Sequence, residues 1–89
     1  MNESAIDEMA MPPVSKVLLW FDDTKGRTTA EKVMAGARRY KDNYGEPANV
    51  CLCNRADIGY LKEIAFEGVT MHLRVAEHVR PNNFLVGCE

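Results

Sequence analysis

Two short apolar runs flank one long amphipathic stretch, and together they set the plan of the chain. Lys16-Val-Leu-Leu-Trp-Phe21 is almost unbroken apolar sequence, and Asp22-Asp-Thr-Lys-Gly-Arg27 stops it. Its alternate positions are apolar on both sides: Val17, Leu19 and Phe21 on one, Leu18 and Trp20 on the other. Such a run predicts a strand buried on both faces, inside a sheet rather than at its edge. Residues 28–44 then carry helical period, with Ala30, Val33, Met34, Ala37, Tyr40 and Tyr44 on one stripe. Thr28-Thr-Ala-Glu31 fits a capping box, Gly45 suits a left-handed C′ residue, and Pro47 prevents continuation. Asn49 to Cys53 returns as a second short apolar strand, so residues 16–54 read as a βαβ unit with a right-handed parallel crossover.

The remaining third reads as additions to that unit. Residues 55–66 suggest a short helix capped by Asp57, with Tyr60, Leu61 and Ile64 on one side, although Gly59 weakens it. Glu67-Gly68 is a turn signal. Val69, Met71, Leu73 and Val75 alternate with polar positions, as in a half-exposed strand. Residues 79–83 contain Pro81 and two asparagines and read as a connection. Phe84, Val86 and Cys88 form a last strand, expected to pair with strand 69–75 as an antiparallel hairpin. The expected fold is therefore α/β (α+β): a two-layer α/β sandwich, with a βαβ unit, a short helix and a C-terminal hairpin on a four-stranded mixed sheet. One good helix cannot cover both faces of such a sheet, and exposed apolar faces mark interfaces. The tail, the short helix and a second copy of the chain are the candidate covers, and the expectation is a homodimer through the open face, with Leu18, Trp20, His72 and Arg74 as interface residues.

With 89 residues there is room for a single domain, expected over 14–89. Residues 1–13 lack periodicity, end in a double proline and read as a flexible acidic tail. Glu3, Asp7 and Glu8 lie there, leaving eleven basic and ten acidic side chains in the rest, a balance unlike that of a generally basic nucleic-acid binder. The longest apolar run is far too short to span a bilayer, and no secretory leader pattern is present. Three cysteines, an odd number, point to free thiols in a reducing cytoplasm.

Four groups of residues are candidates for chemistry. Asp22 and Asp23 follow a buried strand, where α/β ligand sites form, and could hold Mg²⁺ in an enzyme or nuclease; capping and solvating a loop is the plainer role. Lys25, Gly26, Arg27 and Thr28 precede a helix and could bind an anion, although ordinary loop composition explains them equally well, and no Walker A spacing is present. Cys51 and Cys53 share a strand face and could donate to a soft metal with His72 as a third ligand, but buried Cys more often simply packs. Lys32, Arg38, Arg39 and Lys41 give the helix a basic side that could meet nucleic acid, against the default of a solvated face. No Ser-His-Asp order or Cys-His pairing is supported, and no cofactor is implied. A non-enzymatic interaction or accessory module acting through its surface is the leading expectation.

Trp20-Phe-Asp-Asp23, Tyr44-Gly-Glu-Pro47 and Arg80-Pro-Asn-Asn-Phe-Leu-Val-Gly87 occur in an order that resembles a group of small uncharacterised bacterial proteins, over residues 16–88. The resemblance implies a compact bacterial domain and carries no activity, cofactor or catalytic residue.

Overall fold

The computed structural model describes residues 16–89; the expected acidic tail, 1–13, and the expected domain start at Val14 lie outside the described residues. The described elements are β1 (Val17–Phe21), α1 (Thr29–Tyr44), β2 (Val50–Cys53), a one-turn α2 (Arg55–Ile58), β3 (Glu63–Phe66), β4 (Val69–Val75) and β5 (Asn83–Gly87). They form an α+β arrangement, one long helix on an open five-stranded mixed sheet ordered β1-β5-β2-β4-β3.

The helix is punctuated as its sequence dictates. The Thr28 hydroxyl accepts from the Glu31 amide at 3.1 Å, and the Glu31 carboxylate accepts from the Thr28 amide at 2.8 Å. At the other end Gly45 takes φ +75° and donates to the Lys41 carbonyl, closing the last turn. A left-handed residue is needed there, and glycine adopts that conformation without steric cost. Val33, Ala37 and Tyr40 are fully or almost fully buried, and they meet Cys51, Cys53, Met71, Leu73, Phe84 and Val86 from the sheet. Leu18, Trp20, Ala30 and Met34 pack against the same core.

The strand order departs from the sequence expectation in three ways. First, the sheet has five strands, because residues 63–66 are β3 rather than helix. Helix α2 stops at Ile58, with Gly59 next, and Asn54, not Asp57, caps it by accepting from the Ala56 amide at 2.8 Å. Tyr60 is fully exposed. Glu67 and Gly68 then take φ of 50° and 81°, the consecutive left-handed pair of a type I′ turn, which folds β3 back onto β4.

Second, β5 does not form a hairpin with β4. It inserts between β1 and β2, antiparallel to both, with Phe84 opposite Trp20 on one side and Cys53 on the other. The seven-residue connection from Ala76 to Asn82 permits this excursion, and β4 instead pairs parallel to β2. β1 and β2 consequently point the same way, as the crossover requires, but they are not neighbours.

Third, β1 is an edge strand, although its composition suggested a central one. Its Leu18 and Trp20 side chains turn to the helix, while Leu19 and Phe21 are 62% and 59% exposed on the other face. This second face is not covered by a helix among the described residues, so the sheet is open on that side.

Candidate functional site

The C-terminal end of β1 gathers the carboxylate and anion candidates into a self-satisfied cluster. Asp22 is buried, its Oδ1 accepting from the Thr24 amide at 3.0 Å and its Oδ2 from the Arg27 guanidinium at 2.7 Å. These bonds from Thr24 and the nearby Arg27 charge hold its carboxyl down at about 2, against the burial that opposes ionisation. Both oxygens are thus engaged inside the loop, while Asp23 is exposed beside it. No group of three or more His, Cys, Asp or Glu side chains converges on one point among the described residues. Arg27 serves Asp22, the Thr28 amide serves Glu31, and Gly26 turns the loop at φ +88°, leaving Lys25 as the exposed basic group of the proposed anion set. The chain's own carboxylates occupy the places an anion would take.

This arrangement gives a pH dependence of defined sign. A carboxyl whose folded value lies below its ordinary one stabilises the fold above the ordinary value, and that contribution fades as pH falls from about 4 toward 2. Arg27 is half-exposed and its attraction screened, so the contribution is about 1–2 kcal/mol. Asp22→Asn is therefore expected to lower the melting temperature near pH 7 by about 5–10 °C. The gap from wild type should narrow progressively as both are acidified from about pH 4 toward pH 2. A gap that stayed constant with pH would show that the charge of Asp22 is not what matters.

The basic candidates on α1 are dispersed rather than assembled. Lys32 is buried at 9% exposure and reaches the Asn82 side-chain oxygen at 3.2 Å. Asn82 in turn donates its amide to Asp57, and Thr29 donates its hydroxyl to the Asp57 carbonyl, so this lysine belongs to a polar seam that ties helix, α2 and the 76–82 connection together. Arg38 and Lys41 both flank Glu67 on the β3–β4 turn, at 3.8 and 2.9 Å, and Arg38 also lies over the Phe66 ring. Arg39 is exposed and has no ion pair among the described residues. Arg27 and Arg38 do line one depression of about 360 Å³, with Glu31, Met34, Ala35 and Phe66, but each guanidinium already faces a carboxylate.

Cys51 and Cys53 are fully buried against the helix, and all three cysteines are free thiols. A hydrogen bond with Cys53, with burial added, pushes the Cys51 thiol above the ordinary range. His72 cannot join them. It sits in register with Val50, one residue from the cysteine positions, and so projects from the opposite face.

The open face is where the sheet leaves chemistry unspent. Leu19, Phe21, Leu52 and Leu85 lie on it by alternation, with Leu19 opposite Leu85 and Leu85 opposite Leu52. Of the expected interface residues, His72 and Arg74 are here and exposed, whereas Leu18 and Trp20 belong to the helix side. The sequence could not choose between two equally apolar faces of β1. The polar half of this face is internally engaged: His72 Nδ1 lies 4.0 Å from a Glu63 carboxylate oxygen, and Arg74 pairs with Glu89. The apolar half continues into a groove of about 300 Å³ between Leu19, Leu85, Asn83 and residues 78–80.

No helix among the described residues is long and apolar enough to cross a membrane. No family model, curated protein or solved structure matches the chain.

Proposed function

We propose that this chain is a small interaction module that self-associates through the uncovered face of its sheet. One observation carries the reading: two large apolar side chains, Leu19 at 62% and Phe21 at 59% exposure, stand together on an edge strand beside Leu85. Single exposed apolar residues are ordinary, but a contiguous group on a sheet face marks a contact surface. The engagement of Asp22 with Arg27, and of the Thr28 amide with Glu31, supports this reading. The free thiols fit a reducing compartment, and we place the module in the cytoplasm.

Light scattering during size-exclusion chromatography tests the reading directly. Wild type is expected to run at twice the 10.0 kDa chain mass, and Leu19→Glu at the single mass. Each copy would lose the burial of one Leu side chain, about 1.5–3 kcal/mol, so the dimer dissociation constant should rise at least about a hundredfold. A circular-dichroism spectrum like that of wild type would show that the variant still folds. A wild-type monomer at all concentrations, or an unchanged dimer in Leu19→Glu, would refute the reading.

A further inference from the structure

We propose that Phe21 of a second copy seats in the groove on the open face, and that the exchange is reciprocal, each copy giving one ring and receiving one. This rests on the self-association reading and specifies its contact. The groove of about 300 Å³ is walled by Leu19 and Leu85, which are register partners, by Asn83, and by His78, Val79 and Arg80. Its lining is mostly apolar, and it has room for one aromatic ring. Phe21 is the register partner of Asn83, stands largely exposed beside the groove and is not one of its walls. A projecting ring and a recess that fits it therefore lie side by side on one surface. A two-fold axis lying in the contact plane and passing between them sets each ring over the recess of the other copy, as an isologous contact requires. Tyr60 is also fully exposed, but it stands beside Ile58 and Leu73, core residues of the helix side, and so away from this face.

The charges around the groove select a copy of the same chain. Arg80 and His78 are exposed on one side of it, and Asp23 is exposed two residues beyond Phe21, with Lys25 farther along the same loop. Arg80, His78 and Asp23 have no ion pair among the described residues. The other charges bordering the sheet face are engaged within the chain: Lys16 with Glu46, Arg74 with Glu89, and His72 beside Glu63. The axis that exchanges the rings brings the Asp23 side of each copy to the Arg80 side of the other. Two Arg80–Asp23 pairs then flank the contact, and each guanidinium borders an incoming ring, where a cation is attracted to the aromatic face. A patch of one sign would repel its own copy, whereas a patch with both signs, set on either side of a knob and its recess, complements itself. The contact covers Leu19, Phe21 and Leu85, the three side chains that carry the self-association reading.

Charge reversal tests the contact, with light scattering during size-exclusion chromatography as the readout. Arg80→Asp and Asp23→Arg each set like charges together twice per dimer, and each should raise the dimer dissociation constant by about tenfold or more. Mixing the two variants restores both pairs, because Arg80→Asp keeps Asp23, Asp23→Arg keeps Arg80, and the two substituted positions meet with opposite charge. The mixture should therefore dimerise with a dissociation constant within about threefold of wild type. Phe21→Ala should lose the dimer, while its melting temperature at monomer concentrations stays within a few degrees of wild type, since the ring is exposed. Circular dichroism like that of wild type would show that each variant folds. A wild-type dimer whose charge variants are not rescued by mixing, or that survives Phe21→Ala, would overturn this contact and leave self-association standing. A chain monomeric at every concentration would overturn both.

Discussion

Phe84→Ala is expected to remove most or all of the stability of the fold. Phe84 is fully buried on β5, between Trp20 of β1 and Cys53 of β2, and faces the Val33–Ala37–Tyr40 side of α1. Truncating a buried Phe costs about 3–5 kcal/mol through lost transfer energy and the cavity left behind. A domain of this length holds only roughly 5–10 kcal/mol in total. The loss should show as a drop of well over 10 °C in melting temperature, or as a chain without a cooperative transition at 37 °C. The position matters because β5 is the strand that joins β1 to the rest. Leu85→Ala, one residue along but on the open face, removes a half-buried side chain and should cost less than half as much in the monomer. Equal losses at the two positions would contradict the placement of β5 in the interior with its Phe84 side toward the helix.

That same strand shows where the sequence was readable and where it was not. Local chemistry was sufficient for α1, whose cap box, apolar stripe and Gly45 terminator all act within a few residues of one another. It was sufficient for β4 as well, since the alternation over 69–75 records one buried face. Strand order is different, because it depends on which distant edge a strand reaches. The short Glu67–Gly68 turn fixed one hairpin locally, but the sequence reading assigned the hairpin to the wrong pair by treating 63–66 as helix. Ile64 and Phe66 alternate with Glu63 and Ala65, and that period was the available signal for β3. The insertion of β5 left no local mark beyond the length of the loop before it. Similarly, apolar residues on both sides of β1 predict a doubly buried strand. Its second apolar face is instead exposed, so Leu19 and Phe21, which that pattern places in the interior, define the candidate surface. The Asp22 and Lys32 outcomes were illegible for a related reason: their partners, Arg27 and Asn82, become partners only through loop and tertiary geometry.

Gly36→Ala is expected to destabilise the protein, against the usual preference of helices. In a helix interior alanine is favoured over glycine by about 1 kcal/mol. At Gly36 a Cβ would lie 3.0 Å from both Cγ and Cδ1 of Trp20 and 3.2 Å from its Cβ. The Trp20 ring cannot retreat freely, since it packs into the core from a strand held by β5. Its indole Nε1, buried without a hydrogen-bond partner among the described residues, already reflects a ring positioned by packing rather than by a polar contact. Overpacking of this kind costs about 1–3 kcal/mol, which exceeds the helix gain. Net of the helix gain, we therefore expect Gly36→Ala to lower stability by up to about 2 kcal/mol, read as a fall of up to about 10 °C in melting temperature. Gly36→Leu should do much worse, although leucine is nearly as good a helix former as alanine. Ala35, one residue away and only half-buried, supplies the internal control: Ala35→Gly should cost the ordinary propensity of about 1 kcal/mol. Glycine would then be the better residue at 36 and the worse one at 35. That reversal ties the helix to β1 through a single close approach, and with it the orientation that turns Trp20 inward and leaves Leu19 and Phe21 outside. If Gly36→Ala instead raised the melting temperature, the helix would not lie this close to Trp20, and the assignment of the two faces of β1 would fall with it.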